Sequence, residues 1–277
     1  MLSDLVTKYL PPFVISDAEF DGNWSGSRER RSFSRWISAP CVPAITHAPS
    51  MKAEEILFEK IDLLEAIDAS KDTFTMAELG AGYGRWLVAG AIIARRAGRR
   101  LRLIGVEAEP THFAMIRQHM LDNDIDPAAH RLIEGAINER DGPVYFVQGH
   151  PEEWFGQSIL PAHDYGFGDW PRATVGTTPG YSLSWVLRDV DDVDLIDMDI
   201  QGSEGAVVRG GKDVLANKVR RVHIGTHSAE VEAELRETFH AMGWDCRNDY
   251  PCRSTVMTPY GEIEFEDGVQ TWINPRL

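Results

Sequence analysis

The sequence predicts an α/β fold: a mostly parallel sheet covered by helices, with an antiparallel hairpin at the C-terminal end and an irregular N-terminal arm. From residue 73 onward, short apolar runs alternate with stretches of helical periodicity, as βαβ units require. The first unit, residues 73–97, places a glycine-rich turn between its apolar run and its helix. That order is typical of sheets that bind a nucleotide beyond their carboxyl ends.

The composition limits the classes of function. A chain of 277 residues, 43% of them hydrophobic, can form one large domain with a sizeable core. Its net charge of −15 argues against nucleic-acid binding, which needs a basic surface, and against binding to an anionic membrane. There is no signal-peptide pattern, no apolar run approaching the ~18 residues of a membrane span and no disulfide framework. We therefore expect a cytoplasmic protein whose three thiols (Cys41, Cys246 and Cys252) are buried.

Two regions are predicted. Residues 1–72 form an arm and a cap: the first 50 residues hold five prolines and little periodicity, and a helix follows at 53–67. Residues 73–277 form the binding domain. Within it, residues 149–181 are rich in glycine, proline and aromatic residues and are predicted to be a substrate lid, since loops of this length are usually functional or mobile.

The remaining elements follow from the same periodicities. Strands are predicted at 101–106, 131–137, 143–147, 193–200 and 219–226, with helices at 110–122, 181–190, 203–217 and 229–242. The tail, 260–274, is predicted to be an antiparallel hairpin with its turn at Asp267-Gly268.

The glycine turn carries the strongest functional signal. Its order is acidic-x-G-x-G-x-G, beginning at Glu78, and Arg85 occupies the place of the third glycine of a dinucleotide-binding G-x-G-x-x-G turn. The pattern resembles the first motif of class I S-adenosylmethionine (SAM)-dependent methyltransferases. Glu107 ends the second apolar run, where an acid accepts hydrogen bonds from ribose hydroxyls. The predicted cofactor-binding residues are Glu78, Gly80, Ala81, Gly82, Tyr83, Gly84, Glu107, Ala108 and Ala136.

The ends of the fourth and fifth core strands supply the predicted chemistry. Asp199 follows an apolar run, where a charged side chain is costly unless it is paired or near water. His227 ends the next strand, and a histidine beside a cleft can act as general base. Asp199 and His227 are thus the predicted catalytic residues, and Gln201 and Glu204 the predicted substrate-binding residues.

A longer resemblance supports this interpretation. The block VDLIDMDIQGSEGAVVRGG, residues 193–211, resembles the signature of FkbM-type methyltransferases, and the likeness extends over about residues 73–274. Its matching positions are Asp194, Asp199, Gly202, Glu204 and Gly210. The resemblance implies a Rossmann-like fold with a seven-stranded sheet, SAM as cofactor, and O-methylation of a hydroxyl on a sugar or other small molecule.

Three departures from that signature leave the chemistry open. Asp197 stands where the family usually has lysine, Gln201 where it has a second acid, and Gly225 where it often has glutamate. Asp197 and Asp199, with or without His227, offer a Mg²⁺ site through the carboxylate oxygens. Two other functions also stay open: an NAD(P)-dependent oxidoreductase, and a non-catalytic SAM-binding protein that uses the arm as its partner surface.

Overall fold

The computed structural model describes residues 2–14, 19–33, 46–47, 51–148, 157–160 and 174–277. The N-terminal region consists of short elements that precede one long helix. In chain order these are α1 (Leu2–Tyr9), β1 (Phe13–Val14), β2 (Phe20–Gly22), β3 (Arg28–Arg30), a 3₁₀ turn (Arg31–Phe33), β4 (Thr46–His47) and α2 (Leu57–Ala69).

Alternating strands and helices follow, as the sequence predicts. The first half comprises β5 (Thr73–Leu79), α3 (Arg85–Arg96), β6 (Arg100–Glu107), α4 (Pro110–Asp122), a 3₁₀ turn (Pro127–Ala129), β7 (Arg131–Glu134), β8 (Ala136–Ile137), β9 (Gly142–Gln148), β10 (Ile159–Leu160) and β11 (Thr174–Tyr181). The second half comprises α5 (Leu183–Val186), β12 (Leu195–Met198), α6 (Glu204–Gly210), α7 (Lys212–Lys218), β13 (Arg221–Thr226), α8 (Ala229–Ala241), β14 (Asp245–Tyr250), β15 (Ser254–Thr258), β16 (Gly261–Phe265) and β17 (Gly268–Ile273).

A seven-stranded sheet forms the centre of the molecule, in the order β14-β17-β13-β12-β5-β6-β7. β17 is antiparallel to both of its neighbours, and the other pairings are parallel. The predicted α/β fold with a mostly parallel seven-stranded sheet is therefore confirmed. The strand order reverses between β5 and β12, and such a switch point opens a ligand crevice beyond the carboxyl ends of the strands.

Helices bury both faces of this sheet. One apolar cluster lies under α2, α3 and α4 and includes Leu64, Met76 and Leu87. The other lies under α6 and α8, where Phe239 stacks on Trp272 with ring centroids 5.0 Å apart. β12 lies in the middle of the sheet, and all four of its residues are buried. One of them is Asp197, which carries a carboxyl group.

The prediction that the two C-terminal strands pair with each other as a hairpin is wrong. β16 pairs with β15, whereas β17 enters the central sheet between β13 and β14. This placement buries Trp272 completely, which removes more apolar surface from water than an isolated hairpin would. The turn at Asp267-Gly268 thus connects two strands that do not pair with each other.

Three further predictions need correction. The predicted helix 203–217 divides into α6 and α7 around Gly211. Residues 174–181 of the predicted lid form β11, which pairs along its length with β9 and belongs to a small sheet of order β10-β9-β11-β8. Cys246 is exposed and Cys252 is partly exposed, because both lie near the sheet edge, while Cys41 lies outside the described residues. Across the described ranges, no helix is both long and apolar enough to cross a bilayer.

Candidate active site

A cavity of about 610 Å³ opens at the carboxyl ends of β5, β6, β12 and β13. Glu78 and Glu107, predicted to share a crevice, both line it. Its lining is strongly acidic. Within the described part of the chain, the carboxylates that line it are Glu29, Glu55, Glu59, Glu78, Glu107, Asp197, Asp199 and Asp267. Such a lining favours a ligand that carries positive charge.

The glycine turn forms the floor of the cavity. Gly80, Gly82 and Gly84 have φ values of 78°, 53° and 74°, which favour glycine. At Gly80 a Cβ atom would lie 2.0 Å from the carbonyl oxygen of Asp199, so no other residue fits without moving the backbone. The turn therefore brings the tips of β5 and β12 into direct contact.

Glu78 anchors the start of the helix that follows the turn. Its carboxylate accepts hydrogen bonds from the backbone N–H groups of Trp86 (3.2 Å) and Leu87 (2.8 Å) in the first turn of α3. These amides have no partner within the helix, so the acid both satisfies them and interacts favourably with the helix dipole. Burial raises the pKa of Glu78 well above its ordinary value, and the nearby Asp197 carboxylate raises it further.

Glu107 holds the glycine turn from the other side. One carboxylate oxygen accepts from the N–H of Gly82 and the other from the N–H of Glu109, both at 2.7 Å. Burial raises the pKa of the Glu107 carboxyl group. Beside it, Ala108 and Ala136 form a small apolar cluster with Phe146. All of the predicted cofactor residues except Gly84, which is the N-cap of α3, therefore line the cavity.

A buried glutamate, Glu204, holds the backbone just beyond the end of β12. Glu204 is fully buried, and its Oε1 atom accepts from the backbone N–H groups of Ile200 (3.3 Å) and Gly202 (3.0 Å) and contacts Nδ1 of His227 at 3.0 Å. Glu204 is not among the residues that line the cavity, and its observed contacts hold the backbone at the tip of β12; its contact with substrate stays a prediction. Gln201 does line the cavity and donates to Asp199 at 2.9 Å.

His227 lies between carboxylates. Its Nε2 atom is 3.3 Å from Asp199 and 3.6 Å from Asp267, and its Nδ1 atom faces Glu204. Burial opposes a charge on the ring, but the Asp199 and Glu204 carboxylates outweigh it and raise the pKa of His227 to about 10. At neutral pH the ring is therefore a cation that holds Asp199, an arrangement that does not favour accepting a proton.

A second group of ionisable residues lines the same cavity, and two of them, Glu59 and His223, were not predicted from the sequence. Glu59 (from α2), Asp197 (β12) and His223 (β13) each offer one ligand atom, and these atoms lie within 4.8 Å of one another. Burial raises the pKa of Asp197 to about 7 and that of Glu59 to about 8, the latter with a contribution from the Asp197 charge.

The predicted Mg²⁺ ligands do not come together in this way. Asp197 lies near Glu59 and His223, whereas His227 pairs with Asp199. Within the described ranges, Glu59, Asp197 and His223 are the group with metal-ligand spacing. The sequence does hold one signal for His223: it interrupts an apolar strand in the same way as Asp197.

Comparisons with known proteins agree with the predicted class. Over 222 residues the chain is 27% identical to a protein of Jannaschia sp. (strain CCS1) named "Putative methyltransferase", and the match spans 77% of each chain. This likeness supports a methyltransferase function. No family model matches the chain.

Solved methyltransferase structures also resemble this chain. A precorrin-6y C5,15-methyltransferase of Geobacter metallireducens GS-15 matches 77% of this chain and 86% of its own, with a TM-score of 0.45 and 10% identity. Methyltransferase FkbM of Methylobacillus flagellatus KT matches 74% of this chain, with a TM-score of 0.48 and 12% identity, and the match spans 45% of that protein.

Proposed function

We propose that this protein is a SAM-dependent O-methyltransferase that acts on a hydroxyl group of a small molecule or sugar. The observation that carries the proposal is the acidic cavity above a glycine turn at the switch point of the sheet. SAM combines a ribose, a flat adenine ring and two cationic groups. A carboxylate at a strand tip, an apolar cleft and a surplus of negative charge are complementary to these three features.

The described residues suggest how the cofactor lies. The Glu107 carboxylate accepts hydrogen bonds from the ribose hydroxyls, as an acid at the end of the second core strand does in nucleotide-binding sheets. Ala108 and Ala136, with Phe146, provide the apolar surface for the adenine ring. Gly80 and Gly82 let the backbone approach the remainder of the ligand. When bound, SAM supplies a methyl group that its sulfonium charge has already activated.

Asp199 is the residue best placed to assist the acceptor. It lines the cavity with half of its side chain exposed, and His227 and Gln201 hold its carboxylate. As the new carbon–oxygen bond forms and the carbon–sulfur bond breaks, Asp199 takes the hydroxyl proton. His227, already protonated, positions this base. The protein otherwise contributes by aligning oxygen, methyl carbon and sulfur, which is worth several kcal/mol.

Calorimetric titration of the purified protein with SAM, with NAD as the comparison ligand, tests the cofactor. We expect SAM to bind and NAD not to. Glu107→Gln should weaken SAM binding about 10- to 100-fold, since hydrogen bonds to charged groups are worth about 1.5–3 kcal/mol. Glu134→Gln is the matched control, because Glu134 lies beside Glu107 on β7 but is exposed and outside the cavity. Absence of SAM binding would refute the proposal.

Transfer of labelled methyl groups to a panel of alcohols and sugars tests the reaction. Asp199→Asn should lower kcat by about 100-fold or more while SAM affinity stays within about threefold, because general-base assistance contributes in that range. His227→Gln should have a smaller effect on kcat, since it disturbs only the position of Asp199. Equal activity of the wild type and Asp199→Asn would exclude the proposed base.

A further inference from the structure

We propose that Glu59, Asp197 and His223 bind a divalent first-row transition metal ion, of the class of Mn²⁺, Fe²⁺ or Zn²⁺, on the wall of the cavity. The three residues come from α2, β12 and β13, and their ligand atoms lie within 4.8 Å of one another. Metal–ligand bonds of about 2.0–2.2 Å require ligand atoms somewhat closer than this. A contraction of roughly 1 Å on binding would bring them there.

The two carboxylates are available for a ligand. Among the residues that the structure describes, the carboxylate oxygens of Asp197 and Glu59 accept no hydrogen bond. The carboxylates of Glu78, Glu107 and Glu204, in contrast, accept hydrogen bonds from backbone N–H groups. Asp197 is only 6% exposed, and the exposed part faces the cavity. A buried carboxylate without a donor is costly, so this one is explained if a cation is its partner.

His223 is oriented as a metal ligand requires. Its Nδ1 atom lies 2.7 Å from Oδ2 of Asp62, which also accepts from the Thr271 hydroxyl at 2.5 Å, while Oδ1 of Asp62 accepts from Arg221 at 2.5 Å. When Nδ1–H of the neutral ring donates to Asp62, the ring is fixed and its other nitrogen, Nε2, carries no proton and is available as a ligand. A carboxylate behind a ligating histidine is the usual way in which proteins set its tautomer and raise its basicity.

The mixed ligand set selects the kind of metal. Two carboxylates alone would suit Mg²⁺ or Ca²⁺, but an imidazole nitrogen shifts the preference toward Mn²⁺, Fe²⁺ and Zn²⁺. Three protein ligands leave at least one coordination position open to the cavity.

The catalytic consequence rests on the proposed function. A hydroxyl oxygen in the open position would have a lowered pKa. Its proton would pass through Asp199 to solvent, and its oxygen would then form the bond to the methyl carbon while the carbon–sulfur bond breaks. The ion would thus activate the alcohol, which is a poor nucleophile without assistance.

The test separates metal binding from methyl transfer. The full-length protein is stripped with a chelator, and Mn²⁺, Zn²⁺ and Mg²⁺ are titrated in separate calorimetric experiments. We expect about one equivalent of Mn²⁺ or Zn²⁺ to bind at least tenfold more tightly than Mg²⁺. Asp197→Asn and Glu59→Gln should each weaken binding at least about tenfold. Glu55→Gln, which neutralises another carboxylate of the same cavity outside the cluster, should keep the wild-type affinity.

SAM titration of the same samples distinguishes the two proposals. If SAM binds but neither Mn²⁺ nor Zn²⁺ does, or if Asp197→Asn and Glu55→Gln bind metal equally well, the metal site is refuted and the proposed function stands. If the metal binds and SAM does not, the site stands and the proposed function fails. A circular dichroism spectrum like that of the wild type shows that each variant is folded.

Discussion

Buried carboxylates determine the local structure of this site, residue by residue. Glu78, Glu107 and Glu204 each accept two backbone N–H groups, and each thereby fixes a turn at the end of a strand. Asp197 and Glu59 receive no such donors among the described residues. The carboxylates in and behind the cavity wall therefore have two roles: Glu78, Glu107 and Glu204 hold the backbone in place, and Asp197 and Glu59 remain available to a ligand.

Gly80→Ala tests the contact between the glycine turn and β12. The new Cβ would meet the Asp199 carbonyl oxygen at 2.0 Å and would sit at a φ of +78°. We expect urea denaturation to show a loss of more than about 3 kcal/mol, together with weaker SAM binding. Gly98→Ala is the control, because Gly98 has a similar φ of +74° with nothing within 4 Å. It should cost only about 1 kcal/mol, and equal losses would show that the contact is unimportant.

Because the pKa of His227 is raised in the folded protein, we expect the free energy of unfolding to depend on pH. Its pKa is about 10 in the folded protein, above the ordinary value of 6.5, so its contribution is complete below pH 6.5 and disappears as the pH rises through 10. The difference in unfolding free energy between the wild type and His227→Gln should therefore shrink by about 1–2 kcal/mol between pH ~6 and pH ~9.5. Urea titrations across this range measure it. A constant difference would mean that the ring is not held as a cation.

At the scale of elements, α2 connects the N-terminal region to the central sheet. Its apolar residues pack on the sheet, and its polar side presents Asp62 to Arg221 and His223 of β13. The sequence predicts this helix from its apolar periodicity alone. That periodicity does not reveal that Glu59 lies near Asp197 and His223, or that Asp62 pairs with Arg221 and His223, since these partners are far away in the chain.

Asp62→Asn should destabilise the protein by about 3–5 kcal/mol, because it removes the fully buried carboxylate that pairs with both Arg221 and His223, and Glu65 remains as a partner for Arg221 alone. Asp68→Asn on the same helix is the control. Its carboxylate pairs with Lys8 at the surface, where both side chains are well exposed, and its loss should cost less than about 1 kcal/mol. Thermal unfolding of the two variants compares them, and similar losses would contradict the buried network.

The C-terminal strands show that a sequence pattern can predict a strand without predicting its partner in the sheet. The run 260–274 has the alternation of a hairpin, and its strands do exist as β16 and β17. Their partners differ from the expected ones, since β17 is held by β13 and β14. Alternation indicates which face of a strand is buried, but it does not specify the neighbouring strand.

At the scale of the whole molecule, the negative charge and the acidic cavity act together. A net charge of −15 and the carboxylates around the cavity produce a field that attracts cationic ligands. The same field disfavours ligands rich in phosphate, and the absence of nucleic-acid binding stays a prediction.

Raising the salt concentration should therefore weaken the binding of SAM more than that of S-adenosylhomocysteine, which lacks the sulfonium charge. Between about 50 mM and about 500 mM NaCl we expect a three- to tenfold loss of affinity for SAM and less than a twofold change for the uncharged thioether. Calorimetry with both ligands measures the difference. Parallel salt dependence of the two would show that the cavity charge does not recognise the sulfonium.

The sequence alone determined the α/β class, the strand–glycine–helix unit and the acids that end β5 and β6. These features follow from hydrogen bonding and burial within one stretch of chain, so they are visible in its periodicity. Only the tertiary structure decided that β17 enters the central sheet, that Glu204 lies behind the cavity wall, and that Glu59 meets Asp197 and His223. The physical reason is that contacts between distant segments depend on how all the layers pack together, and no local pattern records that packing.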